Sequence, residues 1–259
     1  MKFLITNADD FGFTRDVNEG IVEAHRRGIL TSTTLMATGA SFEHAVELAR
    51  AHPTLDVGVH LVLVGAAGFP ATVARLLSAV ALRRIHIYDQ LAFQVRKILD
   101  AGLYPSHLDT HKHTHLLPPV MDAVARISEE FRIPWVRRPL DAPIPFLQRW
   151  LQARLIQHGC RTTDHFAGFD VTGNYNACQL AALIRKLPEG VTEFMCHPGL
   201  CTEELQSAPT RLKESRRREL DALVSPQVHA AIQESGVILI DYRNLPETKQ
   251  NPRVQRVQI

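Results

Sequence analysis

Residues 2–28, KFLITNADDFGFTRDVNEGIVEAHRRG, place a strand before a helix with two aspartates between them, and this unit sets the reading of the fold. KFLIT (2–6) is a short, mainly apolar run of strand length. From Thr14 the period changes: Val17, Ile21 and Ala24 recur at helical spacing, Arg26 and Arg27 suit a last turn, and Gly28 is a natural stop.

The same alternation continues along the chain. TTLMA (33–37) and DVGVHLVLV (56–64) read as strands, the second β-branched enough to be covered on both faces. FEHAVELARA (42–51) between them reads as a helix. VARLLSAVAL (73–82) and IYDQLAFQVRKIL (87–99) read as helices, SHLDTH (106–111) as a short strand, and Pro118-Pro119 as the first turn of a further helix. WVRRPL (135–140), HFAGFD (165–170), TEFMCH (192–197) and VILIDY (237–242) read as later strands, with helical stretches near 145–157, 178–187, 211–223 and 226–234. About eight strands separated by helices imply a parallel sheet with right-handed crossovers. Over this length the pattern predicts an α/β protein of one domain, a distorted TIM-barrel-like (β/α) barrel over residues 1–245, with 246–259 as a peripheral extension. A doubly wound open sheet is the alternative. The chain has no GxGxxG after the first strand and no GxxxxGK[ST], so nucleotide binding gains no support.

Composition narrows the function classes. The 259 residues are 45% hydrophobic and 22% charged, enough to bury a core without staples. A net charge of +2 argues against a dedicated nucleic-acid binder. No apolar run approaches the length of a membrane span, and the start meets two aspartates too soon for a signal peptide. Four cysteines without CxxC spacing are read as reduced thiols, and the expected location is cytoplasmic. Four of the 13 histidines fall between positions 107 and 115.

The informative pattern is where polar residues fall. The first strand runs into Asn7, Asp9 and Asp10; the third gives His60; the strand at 106 supplies Asp109 and His111; that at 192 ends at His197. In a parallel barrel all strand C-termini share one rim, where active sites are built. Taken singly, each has an ordinary reading as a cap, a turn or a core histidine; four together do not. An Asp with two His suits a divalent cation with open coordination positions. His113 and His115 fall in the turn before Pro118, where they would contact substrate or orient ligands. Alternation along a strand sends Asp9 and Asp10 to opposite sides, so that one can ligate while the other takes a proton from a water activated by the cation.

TNADDFG (6–12), TSTTLMA (31–37), GVHL (58–61), HLDTHKHTH (107–115) and EFMCHPG (193–199) together resemble the YdjC-like carbohydrate deacetylases, which include chitooligosaccharide and hopanoid-associated members. The resemblance runs in order from residue 2 to about 243. It implies a distorted barrel, a bound divalent cation and removal of an acetyl group from an N-acetylated amino sugar. Matched motif by motif, it makes Asp10, His60 and His111 the metal ligands, Asp9 the general base and His197 the general acid. Asn7, Asp109, His113, His115 and Arg137 are expected to bind substrate or support these groups. The resemblance makes a homodimer plausible. The donor set is compatible with magnesium, zinc or another transition metal. Residues 65–85 are compact and apolar where the chitooligosaccharide members carry a longer polar insertion, which tilts the substrate toward a smaller or lipid-linked sugar.

Two other functions fit parts of this pattern. A metal-dependent phosphoesterase would hold two metals and a basic pocket, for which Arg137 or Arg138 could supply charge. A non-catalytic sugar-binding protein would need neither Asp9 nor His197.

Overall fold

In the computed structural model, which describes residues 1–66, 68–139 and 145–245, the first strand is twice the length of KFLIT: β1 spans Lys2–Phe11 and carries both aspartates. The other strands are β2 (Ser32–Leu35), β3 (Asp56–Leu61), β4 (His107–Thr110), β5 (Trp135–Val136), β6 (His165–Ala167), β7 (Gly190–Cys196) and β8 (Val237–Leu239). Seven of them form an all-parallel sheet in the order β5-β4-β3-β2-β1-β7-β6, and β8 pairs with the first residues of β1. Arg161 reaches across from the β6 side toward β5, accepting from the Val136 N–H and donating to the Pro134 carbonyl. This curled sheet is the distorted (β/α) barrel expected from the alternation.

The crossovers are helical: α1 (Arg15–Arg27), α2 (Phe42–Ala51), α3 (Val73–Ala81), α4 (Ile87–Asp100), α5 (Pro118–Glu130), α6 (Pro145–Gln157), α7 (Ala177–Arg185), α8 (Glu203–Ser207), α9 (Glu214–Leu223) and α10 (Pro226–Glu234). Thr14 caps α1 by accepting from the Val17 N–H at 3.2 Å, and Gly28 ends it. Pro118 and Pro119 open α5, where the missing N–H costs nothing. The main core lies between these helices and the outer face of the sheet. Within the apolar stretch 65–85, α3 buries Leu76 completely but leaves Leu77 47% exposed, and Leu82 just after it is 61% exposed, so this stretch is only partly core. The expected extension over 246–259 lies outside the described residues.

Alternation along the strands stacks the barrel interior in layers. The floor is apolar, built from Ile5, Val191 and Trp135 with Tyr242 packed against them. Above it lies a buried polar layer of Asn7, His107 and Glu193, in which His107 Nε2 lies 3.1 Å from Asn7 Oδ1 and Asn7 Nδ2 donates to Glu193 Oε1 at 3.4 Å. A Cβ on Gly58 would come within 2.6 Å of the His107 ring, so the glycine gives that ring its room. The next layer up is the rim.

Candidate active site

β1 departs from the extended region at its C-terminal end. Asp10 has φ +71°, a left-handed value that a non-glycine residue adopts at some cost, and the register with β2 slips between Ala8 and Phe11. This kink cancels the alternation expected of Asp9 and Asp10. Instead of pointing to opposite sides, both carboxylates reach His60: Asp10 Oδ1 lies 3.3 Å from His60 Nε2, and Asp9, His60 and Asp109 cluster closely.

Asp10, His60 and His111 come together, each from a different strand end. Asp10 Oδ1 is 3.2 Å from His111 Nδ1, and His60 Nε2 is 3.2 Å from the same nitrogen. Three donors at this mutual spacing match the edges of a coordination polyhedron with bonds of about 2.0–2.2 Å. The donor set itself fits a cation. Asp10 Oδ1 is buried without a hydrogen-bond partner, while Oδ2 accepts from Arg216 Nη2 at 2.5 Å. His60 Nδ1 faces Asp109 Oδ1 at 2.7 Å, which directs the Nε2 lone pair at the site. Thr34 Oγ1 donates to Asp109 Oδ2 at 3.0 Å and fixes that carboxylate in turn.

Charge points the same way. Four buried carboxylates (Asp9, Asp10, Asp109, Glu193) crowd against two buried guanidiniums (Arg137, Arg216) in a low-dielectric interior. Burial disfavours a charged His60, yet the neighbouring Asp109, Asp10 and Asp9 outweigh it and push its pKa up to about 10.

Arg137 is wholly buried and holds the acids of the rim together. It donates to both oxygens of Asp9 (2.7 and 2.8 Å), approaches Asp109 Oδ2 through Nη1 at 2.8 Å and donates to Glu193 Oε1 through Nε at 2.8 Å. Burial alone would raise the Asp9 pKa; the Arg137 guanidinium overrides it and holds the carboxyl well below the usual range. His197, at the end of β7, brings Nε2 to 3.9 Å from Asp9 Oδ2, and its backbone N–H donates to Glu219 Oε2 at 2.6 Å. Exposure increases from His60, with 1% of its side chain accessible, through His197 at 11% to His111 at 21%, which places the open side of the site by the last two.

The remaining expected residues fall around this centre. His113 follows Lys112 through two left-handed positions (φ +53° and +50°) that end β4 abruptly, and its ring stands edge-on to Phe169, centroids 4.9 Å apart. Burial and then the charge of Arg137 push its pKa down to about 3, so it is neutral. His115 is buried with Nδ1 2.7 Å from Thr110 Oγ1. Asn7 lies one layer below the rim, wholly buried, between Glu193 and His107. Sequence reasoning missed Thr34, His107, Glu193, Arg216 and Glu219. An acid inside the apolar strand VTEFMC (191–196) was a usable signal for Glu193, whereas Arg216 within ESRRREL (214–220) looks like any solvated helix face.

Residues 3–234 match the model of the YdjC-like protein family. The chain belongs to that family. Among YdjC-like relatives, a carbohydrate deacetylase of Geobacillus stearothermophilus is 35% identical over 93% of this chain and 97% of its own. A chitooligosaccharide deacetylase of Klebsiella pneumoniae is 32% identical over 94% of this chain and 99% of its own. Among solved structures, a protein of Enterococcus faecalis named for cellobiose-phosphate cleavage superposes with a TM-score of 0.81 at 28% identity, covering 93% of this chain and 98% of that one. No helix among the described residues is long and apolar enough to cross a membrane.

Proposed function

We propose that this YdjC-like protein is a metal-dependent N-deacetylase that hydrolyses the acetamido group of an N-acetylated amino sugar. The observation that carries the reading is the meeting of Asp10 Oδ1, His60 Nε2 and His111 Nδ1 beside Asp9 and His197. The deacetylase names of its relatives support the substrate class. A divalent cation held by the three donors would polarise the acetyl carbonyl and bring the pKa of a water from 15.7 to about 7.

The chain's own groups handle the protons. Asp9 stays ionised because Arg137 grips it, and each of its oxygens keeps a lone pair to accept the proton of the attacking water. His197 Nε2 then protonates the departing amine, which cannot leave as an anion. Asp109 holds His60 in the tautomer that directs Nε2 at the site. Arg137 cannot also serve as a phosphate clamp, since Asp9, Asp109 and Glu193 already occupy it, and this disfavours the phosphoesterase reading.

The test is acetate release from N-acetylglucosamine monomers, oligomers and lipid-linked forms in the presence of zinc or magnesium. The expected result is one free amine per acetate. Sugar binding without any acetate, across all three substrate forms, would leave a non-catalytic binder and overturn the reading.

A further inference from the structure

Glu219 is a buried carboxylate on α9 that the mechanism above does not use, and one of its bonds reaches His197. Oε2 accepts the His197 backbone N–H at 2.6 Å and the Tyr175 phenol O–H at 3.0 Å; Oε1 accepts the Gly173 N–H at 2.7 Å. Gly173 has φ +75°, so its N–H is presented by a tight turn in the segment between β6 and α7. One carboxylate therefore ties together α9, the end of β7 and the turn that precedes α7. Both ends of the grip are rigid: Glu219 is 1% exposed, and Tyr175 packs edge-on against Phe194 of β7 with centroids 5.5 Å apart. Burial and the charge of Glu219 keep the Tyr175 phenol protonated, which fixes it as the donor.

His197 needs such a grip. Its Nδ1 is buried with no hydrogen-bond partner, so the imidazole lacks the side-chain orienter that a proton-transferring histidine ordinarily has. Pro198 and Gly199 follow it directly, and the strand ends at Cys196, so the ladder does not fix it either. The Glu219 bond holds the His197 main chain directly, and the Gly199 N–H, donating to the Arg216 carbonyl at 3.2 Å, anchors the loop that follows.

We propose that Glu219 is a positioning residue that, through the backbone of His197, holds the imidazole in reach of the leaving amine. The inference rests on the deacetylase reading and adds to it a residue outside every strand end. Its consequence is selective. A group that serves only leaving-group protonation matters for an amine and not for a leaving group that departs as a stable anion.

The experiment compares Glu219→Gln and Tyr175→Phe with wild type on two substrates, an N-acetylglucosamine oligomer and 4-nitrophenyl acetate, with cation affinity measured calorimetrically on the same preparations. Expected is a fall in kcat of about 10–100-fold on the amide for Glu219→Gln, and a smaller fall for Tyr175→Phe. KM, cation affinity and turnover of the ester should stay within about two-fold of wild type. Equal losses on both substrates, or no loss on the amide, would overturn the proposal while leaving the deacetylase reading in place. If Glu219→Gln does not fold, the amide-to-ester ratio of Tyr175→Phe decides alone. Absence of amide turnover by wild type on N-acetylglucosamine monomers, oligomers and lipid-linked forms alike would instead refute the parent reading.

Discussion

Asp9 and Asp10 are chemically identical neighbours held differently by two arginines. Arg137 takes both oxygens of Asp9, whereas Arg216 takes only Oδ2 of Asp10 and leaves Oδ1 facing two imidazoles. Their substitutions therefore separate. Asp9→Asn should lower kcat for deacetylation about 10²–10⁴-fold while bound cation, measured by elemental analysis, stays at the wild-type level. Asp10→Asn should lose the cation. The reverse pattern would exchange the two roles. At this scale, the residues that share the rim were legible because each is an acid or imidazole terminating an apolar strand. Of the groups that hold them, Asp109 and Arg137 were singled out in the sequence, whereas Arg216 and Glu219 were not, since they sit on a helix whose sequence reads as solvated and whose partners are set only by packing.

Among the elements, α1 shows how tightly the site is walled. A Cβ on Gly20 would lie 2.3 Å from Gly199 Cα, so the helix and the loop following His197 touch backbone to backbone. In an isolated helix Gly→Ala would stabilise by about 0.5–1 kcal/mol. Here overpacking costs about 1–3 kcal/mol and wins. Gly20→Ala is expected to lower Tm by about 3–6 °C in a thermal scan and to reduce turnover, because the loop it displaces carries His197; a rise in Tm would show that the loop yields freely. The alternation of strands and helices was readable from periodicity and from Thr14, Gly28 and Pro118. The kink at Asp10 and the left-handed pair at Lys112 and His113 were not, because tertiary contacts impose φ values that those residue types do not favour.

For the whole molecule, buried acids make stability depend on pH in two opposed ways. Arg137 and Arg216 outweigh burial and hold Asp9 and Asp10 low, so their contribution is lost on acidification. Asp56, at the start of β3 and 1% exposed, behaves oppositely: burial pushes its pKa up to about 6. The folded state then binds the proton more tightly than the unfolded chain, and the stability this provides is lost as pH rises from about 4 to about 6. Urea unfolding of wild type and Asp56→Asn at pH 4 and pH 7 should show the variant gaining about 2 kcal/mol relative to wild type between the two; parallel profiles would mean that Asp56 titrates normally. The barrel was readable in outline from the number and order of its elements, while its stacked interior, with polar groups above an apolar floor, depends on which alternate residue faces inward. The central claim is that one cation, gathered at the rim by Asp10, His60 and His111, is required for acetate release. Chelator-stripped protein titrated with zinc or magnesium while acetate is followed should regain activity that saturates at one cation per chain. Full activity in the stripped protein, or saturation only at two, would contradict it.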